Sequence, residues 1–352
     1  MPTIRDVAKL ARVSTATVSA AITGSAFVSP TLKSRVLVAI EQLGYSPDGV
    51  ARSLKKGVSN LLGLILPDIT NPFFTEFVQA AEGYAQEAAY SVLLCDSGED
   101  LDKELAYLRL MRSHRVAGLI LCPVGTTELY ETTAVRQAGL PVVLVDRRIP
   151  GLEVDSVTID NHAAALEATR YLLDLGHARI ATIAGIAGRF TSEERLRGFQ
   201  DALSERRIVV PASYIRHGNY LENEAFRVCC QLLRETPAPT ALFVANNHML
   251  IGVMRAVTEL GLTCPKDISI AAIDDFPWAN AFTPRLTTIR QPVRQMAEEV
   301  VRLLLRRVAG SAGEPVHTVL EASLIVRESC ARHSDRLAAK PTAARKKAAI
   351  KR

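Results

Sequence analysis

The sequence predicts an all-α head of three short helices, then a larger α/β core with parallel sheets. Three observations carry this reading. Apolar residues recur at helical spacing, with capping residues at the breaks, through the first 44 positions. From residue 61 short apolar runs alternate with helical patterns, the signature of parallel β/α units. At 352 residues the chain is also too long for one ordinary domain and long enough to bury at least two cores.

Thr3 is placed as an N-cap with Asp6 in the first turn, and Ile4, Val7, Ala8 and Ala11 form one apolar stripe. Arg12 and Val13 break the pattern, Ser14 caps again, and Val18, Ala21 and Ile22 give a second helix its inward face. Ser29 and Pro30 open a third, with Leu32, Val36, Ile40 and Leu43 on one side and Gly44 just past its end. Two short helices joined by a tight turn and braced by a third describe a helix-turn-helix unit. Thr15, Ala16, Thr17, Ser19 and Ala20 remain on the outside of the second helix. They are small enough for that helix to lie deep in a major groove, and they offer hydroxyls and methyls but no bidentate Arg, Asn or Gln. After Pro47 a short basic helical pattern stands alone between Asp48 and Gly57. A helix that short is marginal in water, so something outside the chain is expected to complete it.

Charge points to what that something is. Residues 1–60 carry eight Lys/Arg against three Asp/Glu, residues 336–352 carry seven and none, and the remainder is therefore acidic within a net +5. Basic ends on an acidic body are the electrostatic footprint of a nucleic-acid binder. Residues 331–352 are expected to form a disordered tail, either merely solvated or adding to that attraction.

Other classes are argued against. No run of 18 apolar residues suggests a membrane span, and the start has no apolar segment of the kind that directs secretion, so a cytoplasmic protein is expected. Six cysteines show neither CxxC nor Cys/His ligand spacing, which predicts reduced thiols and no metal site. There is no P-loop, no G-x-G-x-x-G after the first strand, no G-x-S-x-G and no H-E-x-x-H. His162, His177, His217 and His248 stand far apart without a partner pattern, and His177 reads as structural. The expectation is a non-enzyme that needs no cofactor.

In the core, the apolar runs end at Asp68, Asp96, Asp146, Asp160, Asn246 and Asp274. Open α/β sheets bind ligands at the carboxyl ends of their strands. Asp and Asn also cap following helices, so each of these residues has two readings.

The segments "TIRDVAKLARVSTATVSAAI", "VSPTLKSRVLVAIEQLGYSPDGVARSLKKG", "LGLILPDITNPFF", "VVLVDRR", "LGHARIATIAG", "ERLRGF", "VANNHMLIG", "ISIAAIDD" and "LTTIRQP" resemble the lactose/galactose repressor (LacI) family of bacterial transcription regulators, over roughly residues 3 to 330. The resemblance implies a sequence-specific DNA-binding repressor whose operator affinity is allosterically controlled by a small sugar or sugar acid. It implies a head (1–47), a hinge helix (48–58) and a two-lobed, periplasmic-binding-protein-like core (59–330). The lobes are expected at about 61–160 plus 291–320, and 161–290 plus 321–330. DNA contacts are expected from Thr3, Ser14, Thr15, Ala16, Thr17, Ser19, Ala20 and Ser29, and from Ala51, Arg52, Leu54 and Lys55 of the hinge. Leu54 resembles the family's leucine that wedges into the minor groove when two hinges fold over one operator. The effector is expected to meet Phe73, Phe74, Asp146, Arg147, Arg189, Thr191, Arg195, Tyr220, Asn246 and Asp274, while Arg148 and Arg197 face solvent. Three arginines in that set lean toward an acidic ligand.

The chain departs from the family pattern at three places. Arg12 stands where the turn usually has Gly, which implies a non-Gly residue in the left-handed region at about 1 kcal/mol. Ala20 stands where Arg is usual, and Asn246-Asn247 where Asn-Asp is usual. One head per chain implies a homodimer on a pseudo-palindromic operator. The C-terminal stretch has no leucine heptads, which argues against a coiled-coil tetramer. Inducer and corepressor both remain open as the effector's role.

Overall fold

The computed structural model describes residues 2–24, 26–45, 59–125, 140–149 and 151–333, in two units, residues 1–60 and 61–352. In the first unit α1 (Ile4–Ala11) opens with a capping box, because the Thr3 hydroxyl accepts the Asp6 N–H while the Asp6 carboxylate accepts the Thr3 N–H. Arg12 follows at φ 51, ψ 51, in the left-handed region. Ser14 accepts the Thr17 N–H at 3.0 Å and so starts α2 (Thr15–Thr23). Pro30 and Gly44 bound α3 (Pro30–Leu43), whose Ser29 makes no side-chain cap bond. Val7, Ala8, Ala11, Val18, Ala21, Val36 and Ala39 fill the core between the helices. The buried line on α3 runs through Val36 and Ala39, and Leu32, Ile40 and Leu43 are only half-buried. Ile40 and Leu43 still pack against this core beside the buried Val36, and Ala39 joins the expected face.

The second unit is built on two six-stranded sheets. The first collects β1 (Leu61–Leu66), β2 (Ser91–Asp96), β3 (Gly118–Leu121), β4 (Val142–Val145) and β5 (Asp155–Ile159), with α4 (Pro72–Glu87) and α5 (Leu101–Ser113) between them. The chain then passes through α6 (Asn161–Asp174) into the second sheet. There β6 (Ile180–Ala184), β7 (Ile215–His217), β8 (Ala241–Val244), β9 (Ser269–Ile273) and β10 (Thr287–Arg290) alternate with α7 (Phe190–Glu205), α8 (Glu222–Leu232) and α9 (Asn247–Glu259). After β10 it returns: α10 (Val293–Val308) packs on α4, β11 (His317–Leu320) joins the first sheet, and β12 (Ser323–Ile325) joins the second. The orders, β11-β5-β4-β3-β1-β2 and β12-β10-β9-β8-β6-β7, correspond strand for strand. All ladders are parallel except that between β10 and β12. Strands such as "LLGLIL" are nearly continuous apolar runs because helices cover both faces of a parallel sheet. Each sheet reverses its winding beside β1 or β6, and ligands of open α/β sheets gather at such switch points.

Two features fix the helices. At Gly198 on α7 an added Cβ would lie 2.2 Å from the carbonyl oxygen of His162, and at Gly252 on α9 it would lie 2.1 Å from that of Glu222. Only glycine permits those helix approaches. Arg307, near the end of α10, holds the buried Asp155 of β5 through bonds of 2.7 and 2.8 Å. His177 is buried and bonds Thr240, Ser269 and the Ala331 carbonyl, tying the segment after β12 to the second lobe. All six cysteines are free thiols, four of them buried. No helix among the described residues is long and apolar enough to cross a membrane.

Candidate functional site

Between the sheets lies a cavity of about 60 Å³ at the carboxyl ends of the strands. Asp146 follows β4 and Asp274 follows β9, the equivalent strand of the other sheet. Both are buried and both take left-handed backbone, φ 64 and φ 74. Non-glycine residues keep that conformation only where surrounding structure holds them, and such positions cluster at functional sites. Burial pushes each carboxyl up; Arg147 and Arg195 offset this in part at Asp146, and Arg195 and the Gln291 amide at Asp274.

The arginines are engaged within the protein. Arg147 donates both terminal nitrogens to Glu99, at 3.0 and 2.5 Å, and its Nε sits 3.7 Å from Asp146. Arg195, on α7, donates Nε to Asn161 and Nη1 to the Ala245 carbonyl, each at 2.7 Å. Arg189 reaches Glu99 at 3.7 Å. Against these cations the cavity wall carries four carboxylates, Asp68, Glu99, Asp146 and Asp274.

The aromatic side is built from both lobes. Phe73 and Phe74, in the first turn of α4, pack edge to face at 4.9 Å, placed there by the Asn71 cap. Asn219 and Tyr220 both have positive φ, and this turn swings the Tyr220 ring toward Gly185, where any Cβ would come within 2.2 Å of it. The Tyr220 hydroxyl meets Thr191 at 2.8 Å, and the Arg147 guanidinium lies 5.9 Å from its ring centre. A cavity this size is below the roughly 150 Å³ that holds a benzene-sized guest.

Nine of the ten residues expected to meet an effector line this cavity; Arg189 does not, its guanidinium lying on Glu99 instead. The two readings of the strand-end residues divide by position. Asp160 caps α6 and Asp96 holds the turn at Gly98, away from the cavity. Asp146 and Asp274 face the cavity, and Asn246 does so while also capping α9. Arg197 is exposed, and Arg148 is half-buried where solvent exposure was expected, because it follows directly on the buried Asp146-Arg147 pair. Asn71, Glu99, Asn219, Leu221 and Gln291 also line the cavity and were missed. "TNP" and "IRQP" hold two of them, but nothing local marks Glu99, which matters only through Arg147.

Beside the Arg189–Glu99 and Arg147–Tyr220 approaches, two more contacts among the described residues cross from lobe to lobe at the cavity. Asn247 Nδ2 donates to Asn71 Oδ1 at 2.9 Å, with both residues buried, and His248 Nδ1 lies 3.4 Å from Asp68.

On the head, Ser14, Thr15 and Ala16 are exposed and Thr17, Ser19 and Ala20 half-buried, which makes one small-residue face. Thr3 is exposed but engaged in its capping box, and Ser29 is half-buried. Ala51, Arg52, Leu54 and Lys55 lie outside the described residues.

Comparison with known proteins agrees with this architecture. The profile of "Bacterial regulatory proteins, lacI family" matches residues 3–48, and that of a "Periplasmic binding protein-like domain" matches residues 169–330. The HTH-type transcriptional repressor PurR of Vibrio vulnificus is 33% identical over 330 residues, covering 94% of this chain and 98% of that protein. A lac repressor dimer bound to operator and the anti-inducer ONPF superimposes with a TM-score of 0.84 at 28% identity, covering 94% of this chain and 99% of that one. A transcriptional regulator CelR–cellobiose complex does so with a TM-score of 0.71 at 30% identity, covering 94% and 100%. A three-helix head, two corresponding sheets around a polar cleft and relatives matched along nearly their full length lead to one conclusion: the chain belongs to the lacI family of bacterial regulatory proteins and is a DNA-binding transcription repressor, not an enzyme.

Proposed function

We propose that operator affinity is controlled by a neutral polyhydroxylated ligand, a sugar, bound between the two lobes by Phe73, Phe74, Asp146, Arg147, Thr191, Arg195, Tyr220, Asn246 and Asp274. The observation that carries this is the pairing of buried Asp146 and Asp274 at equivalent strand ends while the arginines between them are already engaged. Carboxylate oxygens offer acceptor sites, which suits a ligand rich in O–H donors. Gln291 Oε1, buried and without a partner among the described residues, adds one more acceptor. Aromatic faces at Phe73, Phe74 and Tyr220 suit the C–H surface of a ring. An acidic ligand fits less well, because it would meet the carboxylates of Asp68, Glu99, Asp146 and Asp274 in the same wall. The relative solved with cellobiose supports a saccharide.

Closure of the lobes around the sugar changes the spacing of two hinges (48–58) in a homodimer on a pseudo-palindromic operator. Its differential affinity for the two forms is the coupling free energy. The protein acts in the cytoplasm. Thermal-shift screening of neutral sugars against sugar acids tests the ligand: a neutral sugar at 100 times its Kd stabilises by about 2.7 kcal/mol. Stabilisation by sugar acids alone would sink the neutral-ligand reading.

A further inference from the structure

The turn of the head holds a residue that costs stability and has no partner to explain it. Arg12 sits at φ 51 between α1 and α2, where glycine would be free of strain. The backbone tolerates it with help: Arg35 of α3 donates to the Ala11 carbonyl at 2.5 Å and the Arg12 carbonyl at 3.3 Å, satisfying the end of α1. That accounts for the main chain and leaves the Arg12 side chain unexplained. It is exposed and makes no hydrogen bond or ion pair among the described residues.

Arg12 is not alone. Arg5 and Lys9, four residues apart, share one face of α1, and Arg12 follows at its left-handed C-cap, so three cations line the end of the helix that leads into the turn. All three are exposed, and none is in an ion pair among the described residues. The single acid on this helix, Asp6, is held in the Thr3 capping box. The row ends at Arg12, two residues before the Ser14 cap of α2, so it is continuous with the small-residue face. In a helix-turn-helix the second helix enters the major groove while the first crosses the phosphate backbone. A polyanion with regularly spaced charges is the partner complementary to such a row.

We propose that Arg5 and Lys9 of α1 and Arg12 of the turn after it form a phosphate-binding row, and that Arg12 is kept in a strained turn for its charge. The row grips the backbone of duplex DNA independently of sequence, while α2 faces the bases; this rests on DNA binding by the head. It compensates for a recognition helix whose small residues offer no bidentate base contact.

The test uses the full-length protein and a mixed-sequence duplex of about 40 bp, titrated from about 50 to 200 mM KCl. Arg12→Gly is expected to lower the salt slope of log K by about one and to weaken binding roughly five- to tenfold near 0.1 M salt. The melting temperature of the head stays level or rises, because strain is relieved. Arg12→Gln loses the slope in the same way, and Arg12→Lys keeps it. A parental slope in Arg12→Gly overturns the proposal, as does a slope lost in Arg12→Gly but retained in Arg12→Gln, which would trace the effect to the backbone. If the parent bound no duplex at all, DNA binding by the head would fall, and the row with it.

Discussion

Asn247 shows how one atom can decide the behaviour of a cleft. Asn71 Oδ1 already accepts the Phe73 N–H at 2.9 Å as the cap of α4, so it can only accept. Its partner across the cleft must donate, and Asn247 Nδ2 does. The usual family Asp at this position would set acceptor against acceptor in a buried place. Asn247→Asp is therefore expected to cost about 1–3 kcal/mol of the closed form and to leave the lobes more open, measurable as a larger radius of gyration in solution scattering; an unchanged radius and unfolding midpoint would refute the latch. Arg195 is the residue that both buried carboxylates see. Arg195→Ala should abolish the effector response while operator affinity stays within a few-fold. Weakened DNA binding without ligand and an intact response would show the cleft to be wrongly assigned.

At the level of elements, helix approach and strand anchoring carry the stability of the two lobes. Gly252→Ala puts a methyl 2.1 Å from the Glu222 carbonyl oxygen, on rigid helix backbone that cannot step aside. The expected loss is about 1–3 kcal/mol or more, read from the urea midpoint. In the other lobe, burial alone would push the Asp155 carboxyl up, but the hydrogen bonds from Arg307 and the Val316 N–H outweigh it and hold the group below its ordinary range. A carboxyl lowered on folding stabilises above its unfolded pKa and loses that contribution as pH falls through the folded value. Arg307→Ala strands a buried charge and should cost about 3 kcal/mol at neutral pH. The cost should shrink on acidification; a loss independent of pH between neutrality and the depressed value would mean that packing of the Arg307 stem, not its charge, anchors β5.

For the whole molecule, the proposal of a homodimer makes a geometric demand. Two heads related by a two-fold axis require two half-sites in inverted orientation. Footprinting on sequences selected from a random pool should give an inverted repeat, and sedimentation should give twice the chain mass. Full-affinity binding of a monomer to a lone half-site would defeat it. Coupling then follows from population shift: a sugar moves the equilibrium only by its differential affinity for open and closed lobes. Operator affinity measured with saturating sugar reports both the size and the sign of that difference.

What the sequence determined by itself was whatever depends on neighbours along the chain. Thr3, Ser14 and Gly44 could be placed as caps because a cap is decided within about three residues, and Arg12 could be assigned to the left-handed region because the family that the head resembles usually has Gly at that turn position. The alternation of apolar runs and helical patterns foretold parallel sheets for the same reason. Asp146 and Asp274 could be marked as strand ends, though not told apart from Asp96 and Asp160, which cap and turn locally. Tertiary structure alone decided the rest. Asn71 meets Asn247 across 176 positions of chain and Glu99 meets Arg147 across 48, and no local rule specifies partners at that distance. Those meetings change the chemistry read from the cleft: three arginines in sequence suggest an anion, but in the fold Arg147 is bonded to Glu99 and Arg195 to Asn161 and the Ala245 carbonyl, beside carboxylates that line the same wall. Charge in a list of residues adds up, whereas charge in a fold depends on which partners burial has already supplied.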